Sequence, residues 1–301
     1  LEAGREGAPD AGARLAGLVK DGSQPAIARA TALHLLALHG YPHPGNLIEI
    51  ATSDDSALVR RAGAGLLRGA NLSLHLRAIA KLLDDPVRSV RIRTANALAG
   101  VQPTALPASA AVALKKASQE YLAARRLNAD RPEAHLNLAA YLMRKHEFNR
   151  AQQELATALE LDPAFVPAAI NLADLYRASG QARKAEMALK NALVHSPDDP
   201  ALLFSLALLK VRQDSRGEAL DLLARTVDLA PSNPRYSYVY AIALHDGGKI
   251  EKAITVLEKA LLDNPRNRRI LAALVAYYTE IGDPAAARKY RKRLNHSAAL
   301  N

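Results

Sequence analysis

Residues able to do chemistry are few and scattered. Among 301 residues there are nine histidines and no cysteine. The absence of cysteine excludes disulfides, thiolate metal ligands, cysteine nucleophiles and thioether-bound haem within this stretch. The closest histidine group is His34, His39 and His43. A metal site needs ligands that converge on one point. The sequence places His34 and His39 at the end of a helix and His43 in the loop beyond, with no carboxylate nearer than Glu49, so no metal site is expected. No phosphate-cradling G-x-x-x-x-G-K-[ST], no G-x-S-x-G and no H-E-x-x-H occurs. The expectation is a protein that is not an enzyme.

Two other clusters invite a binding role. Arg235-Tyr236-Ser237-Tyr238-Val239-Tyr240 offers three rings that could stack on bases. On a helix, neighbours two apart point in different directions, which assigns Tyr240 to the interior and Tyr238 to an open surface. Arg288, Lys289, Arg291, Lys292 and Arg293 form a basic run near the C-terminus. It fits the polar outer face that a terminal repeat must present, with attraction to an acidic surface as the alternative. The net charge is +10, carried at the two ends: residues 1–101 hold 12 basic and 9 acidic residues and 268–301 hold 7 and 2, whereas 131–267 are balanced at 17 each. A nucleic-acid role is therefore set behind a protein-binding one.

These residues must be carried by helices. The chain is 49% hydrophobic and only 4% aromatic, with alanine and leucine dominating, a composition that favours close helix packing over strands. No run of about 18 apolar residues is available to span a membrane. Self-similarity fixes the architecture. Pro163, Pro197, Pro231 and Pro265 recur every 34 residues. Twelve positions before them stand Ala151, Ala185, Ala219 and Ala253, and five before them Ala158, Ala192, Thr226 and Ala260. The turn signals Ser179-Gly180, Asp246-Gly247-Gly248 and Ile281-Gly282-Asp283 divide each unit into two helices, while His146 and Asp214 replace the turn glycine in two units. Looser turns are expected there.

This pattern resembles the tetratricopeptide repeat over roughly Pro132 to Asn301, in about five units, the last a cap. The N-terminal third repeats differently. IARATALHLLALHG, VRRAGAGLLRG and VRIRTANALAG align Ile27, Val59 and Val90, a spacing of 32 and then 31 that resembles short HEAT-type repeats. Pro103 and Pro107 mark a connector, and Val112, Leu114, Ala117, Tyr121, Ala124 and Leu127 form the stripe of one bridging helix. The expected fold is all-α, a right-handed α-solenoid of helix-turn-helix repeats. Its expected parts are a flexible segment at 1–12, HEAT-like repeats at 13–101, connector and bridging helix at 102–131, and tetratricopeptide repeats at 132–301.

The tetratricopeptide resemblance implies a concave groove lined by first helices. At the corresponding positions stand Asn137, Arg144, Asn171, Asp174, Arg177, Phe204, Arg212, Arg235, Tyr238 and His245. Asparagine amides can pair with a peptide backbone and arginine can grip a carboxylate. The implied function is a protein-interaction scaffold that holds a partner protein or peptide. The alternative is a binder of nucleic acid or another acidic polymer through the basic ends. The order of the arrays, with NADRPEAHLNLA at the join and NLADLYR in the second unit, also resembles the C-terminal repeat region of bacterial multihaem c-type cytochromes that carry tetratricopeptide repeats. That resemblance implies a periplasmic or otherwise extracytoplasmic module, with a cytoplasmic location as the alternative. It also implies no cofactor in this chain, haem being confined to an upstream region. Leu1 to Arg14 shows no signal-peptide pattern, and the chain is read as a segment of a longer polypeptide or a processed product.

Overall fold

The computed structural model describes residues 1–41 and 46–299, with side chains as far as 296. His43 lies outside the described residues. Among the described residues every regular element is helical. The chain divides into two compact units, Leu1–Glu154 and Leu155–Asn301.

The first unit holds α1 (Glu2–Arg5), α2 (Ala11–Lys20), α3 (Ala26–His39), α4 (Leu47–Thr52), α5 (Ala57–Gly63), α6 (Leu76–Leu83), α7 (Arg88–Ala97), α8 (Ala108–Arg126) and α9 (Pro132–Arg144), and ends within α10 (Phe148–Leu161). Leu33, Leu47, Ile48, Val59, Ile79, Leu82, Val90 and Leu98 make a shared core that extends to Leu114 and Ala117 of α8. The opening segment, expected to be flexible, is instead packed down. Gly4 of α1 is buried against Leu15 and Leu35, and Tyr41 Oη donates to Ala8 O at 2.7 Å.

The N-terminal repeats are registered by arginines. Arg29, Arg60 and Arg91 lie 31 residues apart each time, and each reaches forward to a carboxylate. Arg29 pairs with Asp54. Arg60 bonds Asp85 through Nε at 2.6 Å and Nη2 at 3.2 Å, and Arg91 bonds Glu120 at 2.9 and 2.8 Å. The sequence alignment of Ile27 with Val59 is therefore one residue out. Ile27 is 62% exposed on the first turn of α3, whereas Val59 and Val90 are fully buried. Helix α8 forms where the sequence places a helix, but its buried stripe differs. Ala110, Leu114, Ala117 and Tyr121 are buried, spaced four, three and four, while Val112 and Leu127 face solvent. Tyr121 stacks on Tyr141 of α9 at 4.4 Å between ring centroids. Gly100, at φ +91°, lets the α9 terminus approach, since a Cβ there would meet Arg144 O at 2.2 Å.

The second unit continues α10 and adds α11 (Val166–Ala178), α12 (Ala182–His195), α13 (Pro200–Arg212), α14 (Arg216–Leu229), α15 (Pro234–Asp246), α16 (Ile250–Asp263), α17 (Arg268–Glu280) and α18 (Pro284–Ala299). Helices α11 and α12, α13 and α14, α15 and α16, and α17 and α18 pack as consecutive pairs. Asp199, Asn233 and Asn267, again 34 apart, cap α13, α15 and α17 by accepting from backbone N–H groups two or three residues on. The small positions read from the sequence are buried at the pair contacts, Ala185, Ala219 and Ala253 among them, as are Ala192, Thr226 and Ala260. The turns between paired helices all pass through a left-handed residue: Gly180, Gly248 and Gly282, and, without glycine, Asp214. His146 takes the same conformation in the first unit.

Candidate functional site

Helices α11, α12, α13 and α15 of the second unit enclose a cleft of about 360 Å³. Five of the residues expected at a groove converge on it: Asp174, Arg177, Phe204, Arg212 and Arg235. Arg177 Nε donates to Asp174 Oδ1 at 3.2 Å, one turn apart on the exposed face of α11. Arg212 Nη1 donates to Leu208 O at 2.9 Å. Phe204 is 5% exposed. It forms the floor of the cleft, its ring 4.7 Å from that of Tyr236 and its face 5.1 Å from the Arg235 guanidinium carbon. The cleft thus sets three guanidinium groups against one carboxylate over an aromatic floor. An extended acidic segment would satisfy the remaining arginine donors, and its apolar side chains would meet Phe204 and Tyr236.

The other expected residues stand elsewhere. Asn171 lies on α11, and its Nδ2 donates to Pro167 O at 2.7 Å. Asn137, 34 residues earlier in the first unit, makes the same bond to Glu133 O at 2.7 Å. Each amide therefore spends a donor on its own helix and keeps its Oδ1 available. Tyr238 is half-buried against the core formed by α15 to α18. His245 stacks flat on Tyr277, with centroids 4.4 Å apart, and its Nε2 meets Glu280 Oε2 at 2.8 Å. The hydrogen bond to Glu280 raises the His245 pKa above the usual imidazole range. Arg144 belongs to the first unit, where it packs against α7 and bonds Asn96. The repeat resemblance places it in the groove, but its guanidinium is half-buried because α9 closes on Gly100.

Ser205 and Leu208 also line the cleft. They stand 34 residues after Asn171 and Asp174, a correspondence readable from the repeat alone. The three tyrosines of α15 do not share one surface. Tyr236 packs on Phe204, and Tyr240, expected inside, is half-buried against the cores on both sides of it. His34 lies in the body of α3, exposed, and His39 ends that helix beside Tyr41. A larger hollow of about 770 Å³ lies along α10, α11 and α12, walled by Leu159, Tyr176, Met187 and Val194. It is mainly apolar, and its lysine, Lys184, sits over the Tyr176 ring at 5.6 Å.

Comparison with known proteins points to the same repeat. Residues 105–204 match the middle TPR-like domain of cilia and flagella-associated protein 70, and residues 178–260 match subunit 3 of the anaphase-promoting complex, or cyclosome. Cellulose synthase 1 operon protein C of Komagataeibacter xylinus is 25% identical over 252 residues, which is 78% of this chain and 18% of that protein. The chain thus spans about a fifth of that relative. Among solved structures, MamA aligns over 55% of this chain and 91% of its own, with 22% identity and a TM-score of 0.47. YrrB, a TPR protein with an unusual peptide-binding site, aligns over 58% and 91%, with 19% identity and a TM-score of 0.45. The chain carries tetratricopeptide-type repeats.

Proposed function

We propose that this chain is a non-catalytic scaffold that holds an extended segment of a partner protein in the cleft of its second unit. The observation that carries the reading is the convergence of Arg177, Arg212 and Arg235 over Phe204 and Tyr236. Charged forks above an aromatic floor suit a peptide whose backbone and carboxylates bind above and whose apolar side chains bind below. Asn171, Tyr238 and His245 extend this surface along α11 and α15, and Asn137 is the residue of the first unit expected to hold a peptide backbone in the same way.

The alternative, an acidic polymer bound by the basic C-terminal helix, has less support. Lys289 and Arg293 lie over the Tyr290 ring at 5.1 and 5.8 Å, and Arg293 Nη2 donates to Pro265 O at 3.1 Å, so these cations also serve the packing of the last pair. The exported, cytochrome-linked setting is a separate part of the proposal and rests on the sequence resemblance. In it, the HEAT-like array joins this module to other sequence that would carry any haem.

Selection of binders from a random peptide library tests the cleft. Peptides enriched on the wild-type chain are expected to lose about tenfold or more in affinity for the Arg177→Ala, Arg212→Ala double variant, with its helical signal unchanged. Lys289→Glu with Lys292→Glu is expected to change mainly salt sensitivity and association rate. Peptides that bind the cleft variant normally and fail on the C-terminal variant would overturn the reading in favour of the electrostatic alternative.

A further inference from the structure

The first unit concentrates arginines that have no acid to answer them. Arg61 lies on α5, Arg68 follows the short turn Ala64–Leu67, Arg93 lies on α7 and Arg144 ends α9. Among the described residues, Arg61, Arg68 and Arg93 have no ion-pair or hydrogen-bond partner. Arg144 bonds Asn96, yet its buried Nε has no partner. Carboxylates are not scarce nearby, because Arg60 and Arg91 on the same two helices are each matched bidentately.

The unmatched set is built into the fold. The Arg93 guanidinium crosses the backbone at Gly65, where a Cβ would come within 2.7 Å of its Nη2. Burial first, and then Arg68, Arg61 and Arg144, push the Arg93 pKa down. Arg93 and Arg144 are half-buried while Arg61 and Arg68 are exposed; like charges beside a half-buried guanidinium are costly unless an anion answers them. Arg61 and Arg93 also line a cavity of about 330 Å³ together with His34, Thr31 and the apolar side chains of Ile27 and Leu58.

We propose that this cavity binds a phosphate group, as a phosphate monoester or a diphosphate, through the guanidinium forks of Arg61 and Arg93. Arg68 and Arg144 supply further positive potential, and Ile27 and Leu58 receive the apolar part of the molecule that carries the phosphate. A single carboxylate would neutralise one charge of the four. A phosphoryl dianion offers more charge and more acceptor oxygens, and arginine forks match its geometry.

The test uses the full chain and inorganic pyrophosphate, by calorimetric titration and thermal melting against sodium chloride of equal ionic strength, so that general screening cancels. Pyrophosphate is expected to bind and to raise the melting temperature. Arg93→Gln is expected to weaken binding about tenfold or more, and to melt no lower than wild type without the anion, because a repulsion has been removed. Lys289→Gln with Lys292→Gln is expected to leave pyrophosphate binding unchanged. A second arm measures cosedimentation with phosphatidylcholine vesicles containing phosphatidic acid. Capture there that depends on Arg93, without pyrophosphate binding, would assign the phosphate to a lipid headgroup. Absence of binding in both arms, or binding that Arg93→Gln leaves intact, would overturn the proposal.

Discussion

His146 and Asp214 turn the chain through the same left-handed conformation, at φ 59° and 57°, that Gly180, Gly248 and Gly282 supply in the equivalent turns. The turns expected to be loose keep the geometry of the others at a conformational cost. A side chain in this region costs roughly 1–2 kcal/mol, partly offset because glycine loses more entropy on folding. His146→Gly is thus expected to stabilise the chain by up to about 1 kcal/mol. Asp214→Gly is expected to give less, since aspartate tolerates this region. Its exposed contact with Arg216 adds little to that balance. Urea denaturation of both variants checks the order, and a loss of stability in His146→Gly would contradict it.

The pair Arg60–Asp85 ties consecutive N-terminal repeats and is well shielded, with side-chain exposures of 15% and 5%. Asp85 Oδ1 also accepts from Val87 N at 2.9 Å, which fixes the entry to α7. Asp85→Ala leaves a shielded guanidinium unmatched and is expected to cost about 2–4 kcal/mol. Arg60→Ala with Asp85→Ala is expected to cost less than the sum of the single changes. A double-mutant cycle without coupling would show that the pair is decorative.

The 34-residue recurrence made the paired helices, their small contact residues and their turns legible, because period and residue size are both visible in a single sequence. The N-terminal register was harder to see. Apolar similarity put Ile27 opposite Val59, whereas the repeated arginine with its distant carboxylate sets the true register. Such a pairing becomes visible only when Arg29, Arg60 and Arg91 are read together with Asp54, Asp85 and Glu120. The repeat made the positions of Arg177, Arg212 and Arg235 around one cleft legible, but not that Phe204 is buried as its floor or that Arg144 faces α7. Repeat position sets where a Cα stands, and the neighbouring helix decides whether its side chain meets solvent or packing.

Ala185 lies where α12 meets its neighbours and is 1% exposed. Its core partners include Ala169, Ala173 and Leu189. Three extra carbons cannot fit without moving a helix, so Ala185→Leu is expected to cost on the order of 1–3 kcal/mol. Ala188→Leu on the same helix, at a partly open position, is the control. Equal denaturation midpoints for wild type and Ala185→Leu would show that this contact is not close-packed.

Glu186 accepts from Lys190 Nζ at 2.7 Å and Lys210 Nζ at 3.0 Å, and Lys210 also meets Glu218 at 2.8 Å. The bonds from Lys190 and Lys210 hold the Glu186 carboxyl down at about 2. Donation to Glu218 and Glu186 raises the Lys210 pKa, so the lysine stays charged through the acid range. Because the folded value lies below that of an unfolded glutamate, near about 4.3, the stabilisation is complete above that pH. It is lost as pH falls from there towards the folded value. Glu186→Gln is therefore expected to be less stable than wild type by about 1–2 kcal/mol near neutrality. The gap should narrow below about pH 4.5 and close near about pH 2. The urea midpoint of both proteins, followed against pH, measures it directly. A difference that stays constant down to about pH 3 would mean that Glu186 contributes through packing and not through its charge.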